Sequence, residues 1–318
     1  MAVSLFDQSL RSLSYHSSKL AALVFVSIAM GLHAQAIGVP SVYKASFGDD
    51  LHIDKYKTSY YAQYQNLDNY SGLEYTQHHY RWGDWTGAGE QYTYVSKRHD
   101  SEGTMRNLSI GHNDLNNSNV IWTADFGYAK KVAQQTSLEV SFNRDRVEVQ
   151  QSLVMNVLAN QYSASIEQAL TQIARLQLSY GETRYTDGNH RPTIKVKAAY
   201  DVLPEQGVGL QLRSRYFRDT DTTVNSGYFN PYRFVENLVA MEVNRKVAGW
   251  SLIADVGYGR QAGGDDPKTL AKAFEFSATT PIARGIYFRA KAGYFRSLGY
   301  SGSDFIYRYV SEDVVMEL

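Results

Sequence analysis

The chain has 318 residues, enough for one large domain or two ordinary ones. Its 32 basic and 32 acidic residues cancel, which excludes a strongly basic nucleic-acid binder and a supercharged tail protein. It has no cysteine, which excludes disulfides, thiolate metal ligands and a cysteine nucleophile. Residues 1–36 read as a secretory signal. Arg11 and Lys19 precede an apolar run from Leu20 to Leu32, and Ala34-Gln35-Ala36 follows as a small-x-small cleavage site, with Ile37 as first mature residue. A spanning anchor needs ~20 apolar residues, more than this run supplies.

From Ser41 onward the dominant period is two. In 192–200, Ile194, Val196, Ala198 and Tyr200 oppose Lys195 and Lys197. In 207–217, Leu210, Leu212 and Tyr216 oppose Gln211, Arg213 and Arg215. The same split separates Leu252, Val256 and Tyr258 from Asp255, and Phe288, Ala290 and Ala292 from Arg289 and Lys291. Such runs recur at about 41–50, 55–65, 70–81, 89–97, 104–112, 120–130, 136–145, 160–169, 174–184, 192–201, 207–217, 233–245, 249–259, 271–280, 285–296 and 303–312. That is sixteen strands, an even number. Runs of about ten residues are longer than typical soluble strands and match tilted bilayer crossings. The 25 tyrosines suit membrane interfaces. Backbone groups in lipid must all be paired, so the expected fold is a closed, transmembrane antiparallel up-and-down β-barrel over residues 37–318.

Connections alternate in length, with short ones such as 66–69 and 246–249 and longer ones such as 146–159 and 218–232. A tube of this size is too wide to be filled by its own side chains, so an aqueous lumen is expected. Its expected lining carries Lys195, Lys197, Arg213, Arg215, Arg289 and Lys291, with the acids Asp125, Glu139, Asp255 and Glu275. Two readings of that lining stand: ordinary lumen polarity with mutual ion pairing, or a conduit tuned to a polymer, with the cations favouring an anionic chain. Two loop motifs stand out: Asp187-Gly188-Asn189 with Arg191, and Gly227-Tyr228-Phe229-Asn230-Pro231. The first is good turn chemistry. The second either folds inward to narrow the pore or packs at the rim.

The order of a long amphipathic barrel, a DGN-x-R loop, two strands and a GYFNP loop resembles the C-terminal barrels of Gram-negative exopolysaccharide export porins. These are the poly-N-acetylglucosamine export porin and cellulose synthase outer-membrane subunit types. The resemblance is clearest over 136–312. It implies a sixteen-stranded outer-membrane pore that releases a new polysaccharide. Those proteins carry tetratricopeptide repeats before the barrel, and no 34-residue helical repeat is present here. The resemblance therefore implies a separate periplasmic repeat scaffold as partner, beside outer-membrane lipid and the exopolysaccharide itself.

Two alternatives remain: a general or solute-specific diffusion porin, and a plugged structural or enzymatic barrel. A diffusion porin is expected to carry a constriction loop about a third of the way along, and none stands out there. No G-x-S-x-G, H-E-x-x-H or P-loop occurs. His78 and His79 are adjacent, so on a strand they point to opposite faces. Asp265-Asp266 reads as a solvated turn. No enzymatic activity, cofactor, metal or nucleic-acid partner is expected.

Overall fold

The computed structural model describes residues 35–48, 50–116, 119–225, 227–265, 267–281, 283, 285–298 and 304–318. The secretory signal lies outside these residues except for Gln35 and Ala36, and Asp266 of the acidic turn lies outside them as well. The first half of the chain forms β1 (Ala36–Phe47), β2 (Leu51–Asn66), β3 (Asn69–Trp82), β4 (Trp85–His99), β5 (Met105–Leu115), β6 (Asn119–Ala133), β7 (Thr136–Arg146) and β8 (Leu158–Ala169). The second half forms β9 (Ala174–Tyr185), β10 (His190–Leu203), β11 (Val208–Phe217), β12 (Phe234–Val247), β13 (Trp250–Gly263), β14 (Thr269–Thr279), β15 (Ile286–Leu298) and β16 (Asp304–Glu317). One short helix, α1 (Gln150–Val154), lies between β7 and β8. Each strand pairs with its sequence neighbours, and β1 pairs antiparallel with β16, so the sheet closes as the alternation predicts.

The register fixes which face is interior. Lys195 and Lys197 of β10 stand opposite Arg215 and Arg213 of β11. Arg213 grips Asp255 of β13 with both arms of its guanidinium, reaching across the intervening β12. A side-chain contact between strands two apart closes only on the concave side, so these residues face the interior. The alternate residues then face outward. Leu212, Val256, Tyr258 and Trp122 do so, and each is between 47 % and 65 % exposed. A continuous apolar outer wall of this kind is what hydrocarbon wets in a transmembrane barrel. Glu312, between Val310 and Val314, breaks the outward pattern. Glu90 is a second outward acid, and the hydroxyls of Tyr75 and Tyr92 donate to it.

The first and last strands differ most from expectation. β1 begins at Ala36 instead of Ser41, and β16 runs on to Glu317. The pairing of β1 shifts between Val39 and Val42, on either side of Pro40. Proline has no N–H for the ladder, and a bulge there flips the alternation, so the period is lost from the sequence although pairing continues. Gln35 and Ala36 take part in that seam: Gln35 N donates to Tyr61 O, and Leu318 N donates to Gln35 O. The connections that hold α1 (147–157) and the GYFNP motif (218–233) sit at the barrel end opposite Ala36 and Glu317.

Face assignment predicts an asymmetry. Leu212→Arg places a charge in the middle of the outer wall and should cost ~2–4 kcal/mol of folding into a bilayer. Ser163→Arg, on the interior face, should cost well under half of that. Urea-titrated folding into lipid vesicles measures both, and equal costs would mean that the faces are reversed.

Candidate functional site

Alternation along each strand builds the interior from polar side chains. On β10 and β11 it brings together Lys195, Lys197, Arg213 and Arg215. Arg215 pairs with Glu236 of β12 at 3.2 Å. Asp255 stands opposite Glu275 of β14, whose carboxylate accepts from the Tyr309 hydroxyl at 2.6 Å. Arg289 and Lys291 also face inward but lie on β15, apart from the β10–β11 wall. Arg289 binds Asp313 at 2.7 Å, and Lys291 stands between Ser277 and Ser311. These charged residues therefore occupy separate walls. His78 faces inward and is buried, while His79 faces the ring of Tyr56.

A cavity of about 1320 Å³ opens against these walls. One side presents Lys195, Lys197, Arg213 and Arg215, and the other presents Phe47, Trp82, Phe295 and Tyr307. Rings of the second side pack on one another: Phe47 is tilted on Tyr307 at 4.6 Å, while Phe295 stacks on Tyr307 at 5.8 Å and Tyr307 on Tyr309 at 5.5 Å. Tyr309 lies flat along the wall because Gly293 opposite it has no side chain, and a Cβ there would run into the ring.

The connection 147–157 folds into the barrel, which the sequence reading did not anticipate. Leu153 of α1 is 1 % exposed and is buried in one cluster with inward residues of β2, β3 and β5, among them Leu51, Ile53, Tyr80 and Leu115. Glu148 accepts from Lys55 of β2 at 2.6 Å and from the Tyr80 hydroxyl at 3.2 Å. Burial works to raise the Glu148 carboxyl, but Lys55, His78 and Tyr80 outweigh it and hold it below the usual carboxylate range. Arg146 adds a bond to Asn156 across the base of the loop. A signal for this was present. Leu153, Val154 and Met155 are apolar residues in a connection, and the buried Leu153 can be hidden at this end of the barrel only inside it.

The two loop motifs meet each other. Asp187 accepts from Asn189 N at 3.1 Å, and Gly188 N donates to Tyr185 O to close the turn. Asn189 is 1 % exposed and its side-chain oxygen accepts from Asp221 N at 3.0 Å. Arg191 forms a two-armed pair with Asp219, 2.9 Å on each arm, and also donates to Phe229 O. Its guanidinium lies 4.4 Å from the centre of the Phe217 ring. Tyr228 stacks on Tyr185 at 4.3 Å and donates to Asp187 at 2.9 Å. Burial, with the Asp187 carboxylate beside it, pushes the Tyr228 hydroxyl above its usual range. Asn230 donates to Val224 O at 3.1 Å, and Pro231 O accepts from Asp219 N at 3.0 Å. The loop both packs at the rim and, through Gly227, Tyr228 and Phe229, lines the cavity. Its tip touches α1, where Gln151 donates to Asn225 O. Gly227 lies so close to Gln151 that a Cβ would stand 2.7 Å from the Gln151 Cβ, and its φ of +79° suits glycine.

Two outcomes follow from this geometry. Asp219 has no exposed side-chain surface, so Arg191→Ala leaves a buried carboxylate alone and should weaken loop docking by ~3–5 kcal/mol. Trypsin should then cut after Arg218 and Arg233 faster than in the wild type, with the barrel intact. Docking also holds Glu148 below its ordinary value, so the docked 147–157 loop gains stability above the usual carboxylate range and loses it as pH falls through the docked value. Channel current in planar bilayers should change on acidification from neutral pH to about pH 3, and Glu148→Gln should remove most of that dependence. A current equally pH-dependent in the variant would show that Glu148 is not the group responsible.

No family model matches the sequence, and no curated protein matches it. Among solved structures, the chain is similar to a barrel described as a bacterial polysaccharide outer membrane secretin. The TM-score is 0.65 at 14 % identity, over 90 % of this chain and 99 % of that one. It is also similar to OprD of Pseudomonas aeruginosa, at TM-score 0.47 and 10 % identity over 90 % of this chain and 95 % of that one. CdiB from Acinetobacter baumannii gives TM-score 0.48 at 10 % identity, over 89 % of this chain and 60 % of that one. At these identities the likeness is one of fold, and the fold is that of the closed antiparallel barrels of outer membranes.

Proposed function

We propose that the protein is an outer-membrane channel through which a polysaccharide leaves a Gram-negative cell. The observation that carries the reading is the make-up of the cavity: hydrogen-bonding and cationic side chains on one wall face packed aromatic rings on the other. Sugar rings offer apolar C–H faces and a fringe of hydroxyls, and a wall of each kind answers both. The joined DGN-x-R and GYFNP motifs, which carried the resemblance to export porins, support it as one folded unit. So does the likeness in fold to the polysaccharide secretin barrel over nearly its whole length. On this reading the chain is a conduit without catalytic chemistry. The segment ahead of Gln35 directs its export and is removed, which keeps the seam residues Gln35 and Ala36 in the mature chain, and a separate periplasmic scaffold delivers the polymer.

One observation favours the second reading, a diffusion porin: the 147–157 loop enters the bore as a constriction does. The two are separated by deleting the gene. Export predicts loss of surface polysaccharide with polymer accumulating in the periplasm. Normal surface polymer, together with reduced uptake of small solutes into liposomes or cells lacking the protein, would replace it with the porin reading.

A further inference from the structure

We infer that the β9–β11 wall is a binding subsite for an acidic saccharide, one that carries carboxylate groups. This deepens the export reading and rests on it.

The whole chain is neutral, with 32 cations against 32 acids, yet the cavity is not. Arg191, Lys195, Lys197, Arg213 and Arg215 of β10 and β11 line it, whereas the acids that line it are Asp50 and Glu236. Three of these cations are already matched: Arg191 by Asp219, Arg213 by Asp255 and Arg215 by Glu236. Lys195 and Lys197 have no carboxylate partner among the described residues. They are successive inward positions of one strand, roughly 7 Å apart along it. Of the acids near them, Glu236 is held by Arg215, and Glu167, which stands across Gln177 from Lys197, forms no ion pair with it among the described residues.

The two amines, successive on one strand, repel one another, and the repulsion is relieved by an anion that enters the cavity. The neighbours specify what kind of anion. Across β9, Ser179 and Gln177 stand opposite Lys195 and Lys197 and offer neutral hydrogen bonds. Rings of Tyr185, Phe217 and Phe234 line the cavity beside the cations. A free inorganic anion would leave the rings unused, and a neutral sugar would leave both lysines uncompensated. A sugar with a carboxylate uses all three.

The test is block of ion current through the purified protein in planar bilayers. The probes are an oligogalacturonate, a cello-oligosaccharide and a chitosan oligomer of similar length. The oligogalacturonate should halve the current at a concentration about tenfold lower than the neutral probe, the loss of one charge-assisted contact being worth about that much. Lys195→Gln with Lys197→Gln should remove the preference of the acidic over the neutral probe, and heat-modifiable electrophoretic mobility confirms that the variant barrel is folded. Raising salt should weaken the acidic block alone. Equal or stronger block by the neutral or cationic probe would overturn the acidic class and leave export standing, as would an unchanged preference in the double variant. Failure of every oligosaccharide to alter the current would overturn both.

Discussion

Closure of the hydrogen-bonded ladder between β1 and β16 is the constraint on which the molecule depends. In hydrocarbon an unpaired backbone N–H or C=O costs several kcal/mol, so an open edge cannot persist there. Once the sheet closes, every strand has one face toward lipid and one toward the bore. The pleat then sorts side chains without further instruction. Leu212 and Arg213 are neighbours in sequence and end in different solvents.

The same sorting concentrates charge where it must be managed. Interior acids and bases are tied across strands: Lys57 to Glu74, Arg213 to Asp255, Arg289 to Asp313. Each pair crosslinks strands on the concave side and adds to the ladder hydrogen bonds behind it. The inward loops use the same means. Glu148 is held by Lys55 from one wall and Asp219 by Arg191 from another, and the loops meet at Gln151 and Asn225. Among the described residues Lys195 and Lys197, like Lys291 on β15, form no ion pair with a carboxylate, and Lys195 and Lys197 do so side by side on one strand.

The strands were legible because a period of two needs only local residues to express it. β7, β9 and β11 fall within one residue of where alternation puts them. β1 was not, because a proline-linked bulge changes the phase midway. The inward charges of β10 and β11 could be read from the same period. Their partners could not, since Arg213 meets Asp255 only after the strands between have been laid in register. The two loop motifs were visible as words, but not that they form one unit. The docking of 147–157 depends on Lys55, contributed by a distant strand, and no local pattern encodes such a pairing.

The ring of Tyr309 pinned over Gly293 has a further effect. An aromatic side chain on a wall can usually swing between rotamers, and its swing would make the passage alternately narrow and wide. Here the backbone beneath the ring and the stacked Tyr307 beside it restrict that freedom. The calibre on that side is consequently set by the stiffness of the sheet more than by side-chain motion, and the smallest residue in the protein helps to keep the passage uniform.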